Sequence, residues 1–142
     1  MKHQISTSVI IKADSSTVWE VLTQFENYPQ WNPFIKSIQG DIEVGKKFQA
    51  EIDTMKFKPT TLVYDENKEF TWLGRLIFPG IFDGKHSFIL QDNNDGSTTL
   101  FQKESFNGIL VRLMKKKLDD DIFNKFNLMN EKLKEVAEKE NH

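Results

Sequence analysis

The chain has 142 residues, with 19 Lys plus Arg against 21 Asp plus Glu, a net charge of −2 and no cysteine. This length predicts a single domain, residues 1–142, able to bury roughly two thirds of its unfolded surface. The balanced charge gives no electrostatic case for binding nucleic acid, and without thiols disulfides, thiol catalysis and cysteine-held metal are excluded.

The N-terminus runs straight into a strand pattern in which Ile5, Thr7, Val9 and Ile11 alternate with Ser6 and Ser8. No secretory apolar segment precedes it and no apolar run approaches about 18 residues, so a cytoplasmic protein without stable membrane insertion is expected. Asp14 offers an N-cap, and Val18, Val21, Leu22 and Phe25 follow at helical spacing. Asn27-Tyr28-Pro29 breaks that helix, and with Pro33 close behind only a short helical turn fits. Phe34 to Ile38 reads as a short strand.

Between Lys46 and Phe106 the chain changes to short β-segments separated by turn residues. Phe48, Ala50 and Ile52 share one face, and a turn is expected near Thr54-Met55-Lys56. Thr60 to Tyr64 is the next strand, followed by one in which Phe70, Trp72 and Gly74 share a face. An apolar connection, Leu76 to Phe82, leads to the last two strands, Lys85 to Gln91 and Thr98 to Phe106.

From about Leu110 to Glu140 the chain reads as one long helix, since no Pro or Gly falls between Ile109 and Glu140. From Leu118 its apolar stripe runs through Ile122, Phe126, Met129, Leu133 and Val136 at the α-helical period. Such a helix, at about 1.5 Å per residue, reaches roughly 40–45 Å and needs a surface to lie on. Lys115-Lys116-Lys117 and Asp119-Asp120-Asp121 are expected to form three i,i+4 pairs on its solvated face. The order of one strand, short helices, about six strands and a long helix predicts an α+β fold, an antiparallel sheet with the terminal helix across one face.

The last hairpin fixes a register. A three-residue loop, Asn94-Asp95-Gly96, read as a type I turn with Gly96 in the left-handed position, places Leu90 opposite Leu100 and Phe88 opposite Gln102. His86 then faces Glu104, and Gly84 faces Phe106, on the apolar side of the sheet. His86 and Glu104 either line a pocket as base or ligand anchor, or form a buried pair that only satisfies itself. Gln102 on the same face tilts the balance toward a pocket.

Asp92 to Gly96 begins like a calcium loop, but Ser97 and Lys103 stand where Gly and Glu belong, so a hairpin turn is the reading. His3, His86 and His142 are scattered and no glycine-rich phosphate loop appears, so neither a metal nor a cofactor is expected.

Ala13-Asp14-Ser15-Ser16-Thr17-Val18-Trp19 with Leu22, and Tyr28-Pro29-Gln30-Trp31-Asn32-Pro33-Phe34, resemble the START-like helix-grip (SRPBCC) superfamily. Gly84 to Phe88 and Glu104 to Gly108 fit its later part, closest to the polyketide cyclase/dehydrase and lipid-transport-like branch. The resemblance implies a curved seven-stranded antiparallel sheet gripping the C-terminal helix, with two short helices after the first strand and a hydrophobic cavity inside. Trp31-Asn32-Pro33 would close one end, with Phe78-Pro79-Gly80 and Gly108-Ile109-Leu110 at the mouth.

The partner expected is a small hydrophobic or amphipathic, lipid- or polyketide-like ligand. Trp31, Trp72, Phe88, Leu100 and Phe106 would wall it on the sheet side, and Leu110, Leu113 and Met114 on the helix side. His86, Gln102 and Glu104 would orient its polar end. Two alternatives compete with a plain binding protein. One is an aromatase/cyclase in which His86 and Glu104 move protons; the other is an interaction module resembling the co-chaperones of the superfamily.

Overall fold

In β1 (Lys2–Ile11) the alternating residues Ile5, Thr7 and Ile11 are buried and their neighbours exposed, as a strand with one covered face requires. The computed structural model describes residues 2–76 and 80–140. After β1 the Asp14 side chain accepts from the Thr17 N–H at 2.9 Å and caps α1 (Ser15–Thr23), whose Val18, Val21 and Leu22 are buried. A 3₁₀ turn (Phe25–Asn27) and α2 (Tyr28–Trp31) follow, the two prolines holding this segment short. Tyr28 is fully buried, and its hydroxyl donates to the Leu22 carbonyl, tying α2 back to α1.

Hydrogen bonds from Thr17 and then Ser16 hold the Asp14 carboxyl below the ordinary carboxylate range. A lowered folded-state value means that the cap stabilises the fold above that range and is lost as the pH falls through it. Asp14→Ala should therefore cost about 1 kcal/mol at neutral pH. The difference from the parent should shrink below about pH 4, as measured by urea denaturation across that interval.

The next strands are β2 (Ile35–Gln39), β3 (Gln49–Ile52), β4 (Met55–Phe57), β5 (Thr60–Asp65) and β6 (Glu69–Leu76). Two long strands, β7 (Phe82–Asp92) and β8 (Thr98–Asn107), complete the set. They make a five-stranded antiparallel sheet in the order β1-β8-β7-β6-β5 and a three-stranded ladder β2-β3-β4, linked by a bridge between Lys47 and Thr60. With the short β3 and β4 counted separately, there are eight strands among the described residues. The turn expected at Thr54-Met55-Lys56 tightens to Asp53-Thr54, with Asp53 left-handed at φ 55°, which frees Met55–Phe57 to pair with β3.

The final hairpin pairs as its loop length dictates: Leu90 with Leu100, Phe88 with Gln102, His86 with Glu104, and Gly84 with Phe106. Its loop differs in detail, because Asn94 as well as Gly96 takes positive φ, at 60° and 87°. It is therefore not a type I turn. The number of loop residues sets the pairing, and that is unchanged.

The long C-terminal helix is not one straight α-helix. α3 (Val111–Lys117) passes through a π turn (Leu118–Ile122) into α4 (Phe123–Glu140), where the Phe123 N–H reaches back five residues to the Leu118 carbonyl. The stripe of α4, with Phe126, Met129, Leu133 and Ala137, is fully buried against β1 and α1. Burial of each of its large side chains contributes about 1.5–3 kcal/mol. None of the expected Lys–Asp pairs forms among the described residues, and Asp119 instead meets His3 at 2.6 Å.

Candidate ligand cavity

Where the π turn spans the sheet, the molecule holds a cavity of about 250 Å³. Its floor is the concave face of the sheet: Trp72 on β6, Phe82 and His86 on β7, and Glu104 and Phe106 on β8. Met114, Leu118 and Ile122 cover it from the helix side. The third wall is the β3–β4 hairpin, which contributes Ile52, Met55 and Phe57, with Phe34 from the segment before β2. Met55 and Lys117 are exposed at the rim, beside a pair between Lys125 and Asp53.

Of the residues expected at the cavity, Trp72, His86, Glu104, Phe106 and Met114 lie together on its lining. The others are placed elsewhere. Phe88 and Leu100 are fully buried further along the sheet, and Gln102 lies behind His86. Trp31 does not close an end of the cavity; it packs edge-on against Tyr28 at 5.3 Å and borders a separate, more polar recess with Val136. Leu113 is 79% exposed, and the residue of α3 that turns fully inward is Val111. Leu110 caps the start of α3 and is half-buried without reaching the lining. The helix phase explains this: with Val111, Met114 and Leu118 inward, Leu113 faces out. Phe78 and Pro79 of the expected mouth lie outside the described residues.

Sequence reasoning missed the hairpin wall and two glycines. Gly74 and Gly84 pair across β6 and β7 beneath the cavity. A Cβ on Gly84 would lie 2.1 Å from Oε2 of Glu104, and one on Gly74 would lie 3.1 Å from the Phe57 ring. Each glycine is the space that its neighbour occupies. A pair of glycines on the apolar face of adjacent strands was the available signal.

His86, only 1% exposed, stacks on Trp72 at 4.6 Å between ring centroids and packs against Phe126 at 4.9 Å. Its hydrogen bonds determine its tautomer. The Gln102 amide nitrogen donates to the Phe126 carbonyl at 3.3 Å and to Asn130 Oδ1 at 2.7 Å, which turns Gln102 Oε1 toward His86 Nε2 at 3.0 Å. A backbone carbonyl accepts only, so this orientation is fixed, and Nε2 must carry a hydrogen. Asn130 in turn donates to Thr7 Oγ1 at 2.8 Å, and Thr7 donates to the Gln102 carbonyl at 2.7 Å. The chain of donors closes without a gap.

On the cavity side His86 Nδ1 lies 3.1 Å from Glu104 Oε1. One proton must sit between them, giving either imidazolium beside carboxylate or imidazole beside carboxylic acid. The pair can therefore exchange a proton with a bound molecule while the rest of the network holds His86 still. Among the described residues the other Glu104 oxygen, Oε2, has no hydrogen-bond partner.

A sheet closed over a C-terminal helix, with an apolar cavity between them, defines a START-like helix-grip protein. The chain belongs to the family described as polyketide cyclase / dehydrase and lipid transport, whose model matches residues 2–138. Among solved structures it is similar to a hypothetical protein of Helicobacter pylori, at 14% identity and TM-score 0.81, covering 95% of this chain and 88% of that one. It is also similar to the ZhuI aromatase/cyclase of Streptomyces sp. R1128, at 11% identity and TM-score 0.75, covering 98% and 95%. A START superfamily protein of Mycobacterium smegmatis aligns at 19% identity and TM-score 0.70, covering 94% and 99%. At these identities the likeness is one of fold. No curated protein sequence matches the chain significantly. Family and fold are consistent with binding of a hydrophobic ligand in the cavity. Among the described residues no helix is long and apolar enough to cross a membrane.

Proposed function

We propose that the protein binds a small hydrophobic or amphipathic ligand, lipid- or polyketide-like, between the sheet and the C-terminal helix. The observation that carries this reading is the cavity itself, a space of about 250 Å³ with largely apolar walls, the His86–Glu104 pair on its sheet side and Asp53, Lys117 and Lys125 at its rim. A core that needed only stability would fill such a space, because empty apolar volume costs dispersion contacts. N-phenyl-1-naphthylamine, a neutral dye, should brighten on mixing with the protein and bind one per chain. Met114→Trp, which places a larger ring at the helix side, should abolish this while leaving the circular dichroism spectrum unchanged. Dye binding that Met114→Trp does not alter would place the site elsewhere and sink the proposal.

A second reading, acid–base catalysis by His86 and Glu104, is favoured by the unpartnered Oε2 over Gly84. On it, a substrate of the cavity would still bind Glu104→Gln but would no longer turn over.

A further inference from the structure

We infer that the ligand is a small amphipathic acid, taken up apolar end first, with its carboxylate on Lys117 at the mouth. This rests on the cavity being a binding site, as proposed above, and adds the chemistry of its occupant.

The charges that face the cavity are few and ordered. Lys125 and Asp53 at the rim pair with each other. Glu104 at the sheet side is engaged by His86 at 3.1 Å. Lys117 remains, exposed at the rim, with no ion-pair partner among the described residues. Asp121 stands four residues on in the sequence, yet no ion pair joins it to Lys117. The π turn brings Lys117 and Lys125 onto one lining, although eight residues of straight α-helix would leave them about 80° apart.

An anion therefore has one favourable place. Deep in the cavity it would face Glu104 and lose its water against Trp72 and Phe106. At the mouth it keeps part of its hydration and gains a charge-assisted bond to Lys117. A cationic head group at the mouth would meet Lys117 with like charge. Length follows from volume: an apolar cavity of about 150 Å³ holds benzene, so about 250 Å³ suits a body of roughly ten carbons, aliphatic or aromatic.

The test is isothermal titration calorimetry of the full chain with decanoate, 2-naphthoate, 1-decanol and decyltrimethylammonium below their micelle concentrations. A carboxylate, aliphatic or aromatic, should bind about three- to fivefold tighter than decanol, the worth of one half-exposed ion pair. Lys117→Gln should remove that advantage, and Lys117→Glu should weaken the carboxylate about tenfold and favour the ammonium, with decanol within about twofold. Lys117 is exposed, so these variants should keep the parent melting temperature. Which of the two acids binds better then tells an aliphatic from an aromatic body. Equal affinity for decanoate and decanol, unchanged by both variants, would overturn the inference and leave the cavity reading standing. Preference for the ammonium in the parent protein would overturn it too. If none of the four binds while the neutral dye does, the inference again fails alone; if the dye also fails, the cavity reading falls with it.

Discussion

Phe126→Ala should destabilise the protein by about 3–5 kcal/mol, among the largest losses that a single truncation can cause here. Phe126 is fully buried at the start of α4, with its ring 5.5 Å from Phe34 and 4.9 Å from His86. Phe34 and His86 line the cavity, whereas Phe126 does not. The ring is thus the partition between the cavity and the core along α4. Removing it forfeits the transfer energy of a buried aromatic and opens space that rigid neighbours fill only in part. Two readouts should move in opposite directions: the denaturation midpoint falls, while the cavity accepts bulkier apolar molecules. A loss below about 1 kcal/mol would mean that the sheet and helix collapse onto each other, contrary to this packing.

Gln102→Leu should cost about 2–4 kcal/mol although it replaces a polar group in the core by an apolar one of similar size. Gln102 is fully buried and serves His86 Nε2 on one side and Asn130 Oδ1 on the other. The substitution strands both, and a buried group without its partner carries its full desolvation penalty. Adding Asn130→Leu should therefore cost less than the sum of the two single changes, since the second removes a group that the first orphaned. Strict additivity in denaturation experiments would show that the two side chains do not act as one network. His86 Nε2 should also lose its hydrogen-bond acceptor in Gln102→Leu, which the imidazole nitrogen shifts in an NMR spectrum would report.

The parts of the molecule that were legible from the sequence are those set by local rules. Loop length between β7 and β8 determines which residues face each other, so the His86–Glu104 pair follows from Asn94-Asp95-Gly96. The buried stripe of α4 followed from its period. The cavity's third wall did not, because Phe57 and Ile52 reach it through a hairpin that folds across the sheet, and nothing local encodes where a hairpin lands. The π turn was hidden for a different reason. Steps of four from Leu118 to Ile122 to Phe126 fit an α-helix as well as they fit a wider turn. Leu113 points outward for another reason: with Val111, Met114 and Leu118 inward, the phase of α3 itself turns it to solvent. The far end of the network was partly visible: Thr7 on the inner face of β1 and Asn130 within the apolar stripe of α4 are polar residues where the pattern asks for apolar ones. Each is hydrogen-bonded to the other.

The wide turn at Leu118–Ile122 also bears on how this chain is compared with others. A loop closed by a five-residue hydrogen bond holds one residue more than the α-helical turn it replaces. Any relative with an unbroken terminal helix must therefore lack one position within this span, and an alignment drawn without that gap shifts every residue on one side of it. Lys117 would then be matched with a side chain pointing elsewhere, and a shared mouth would look unshared.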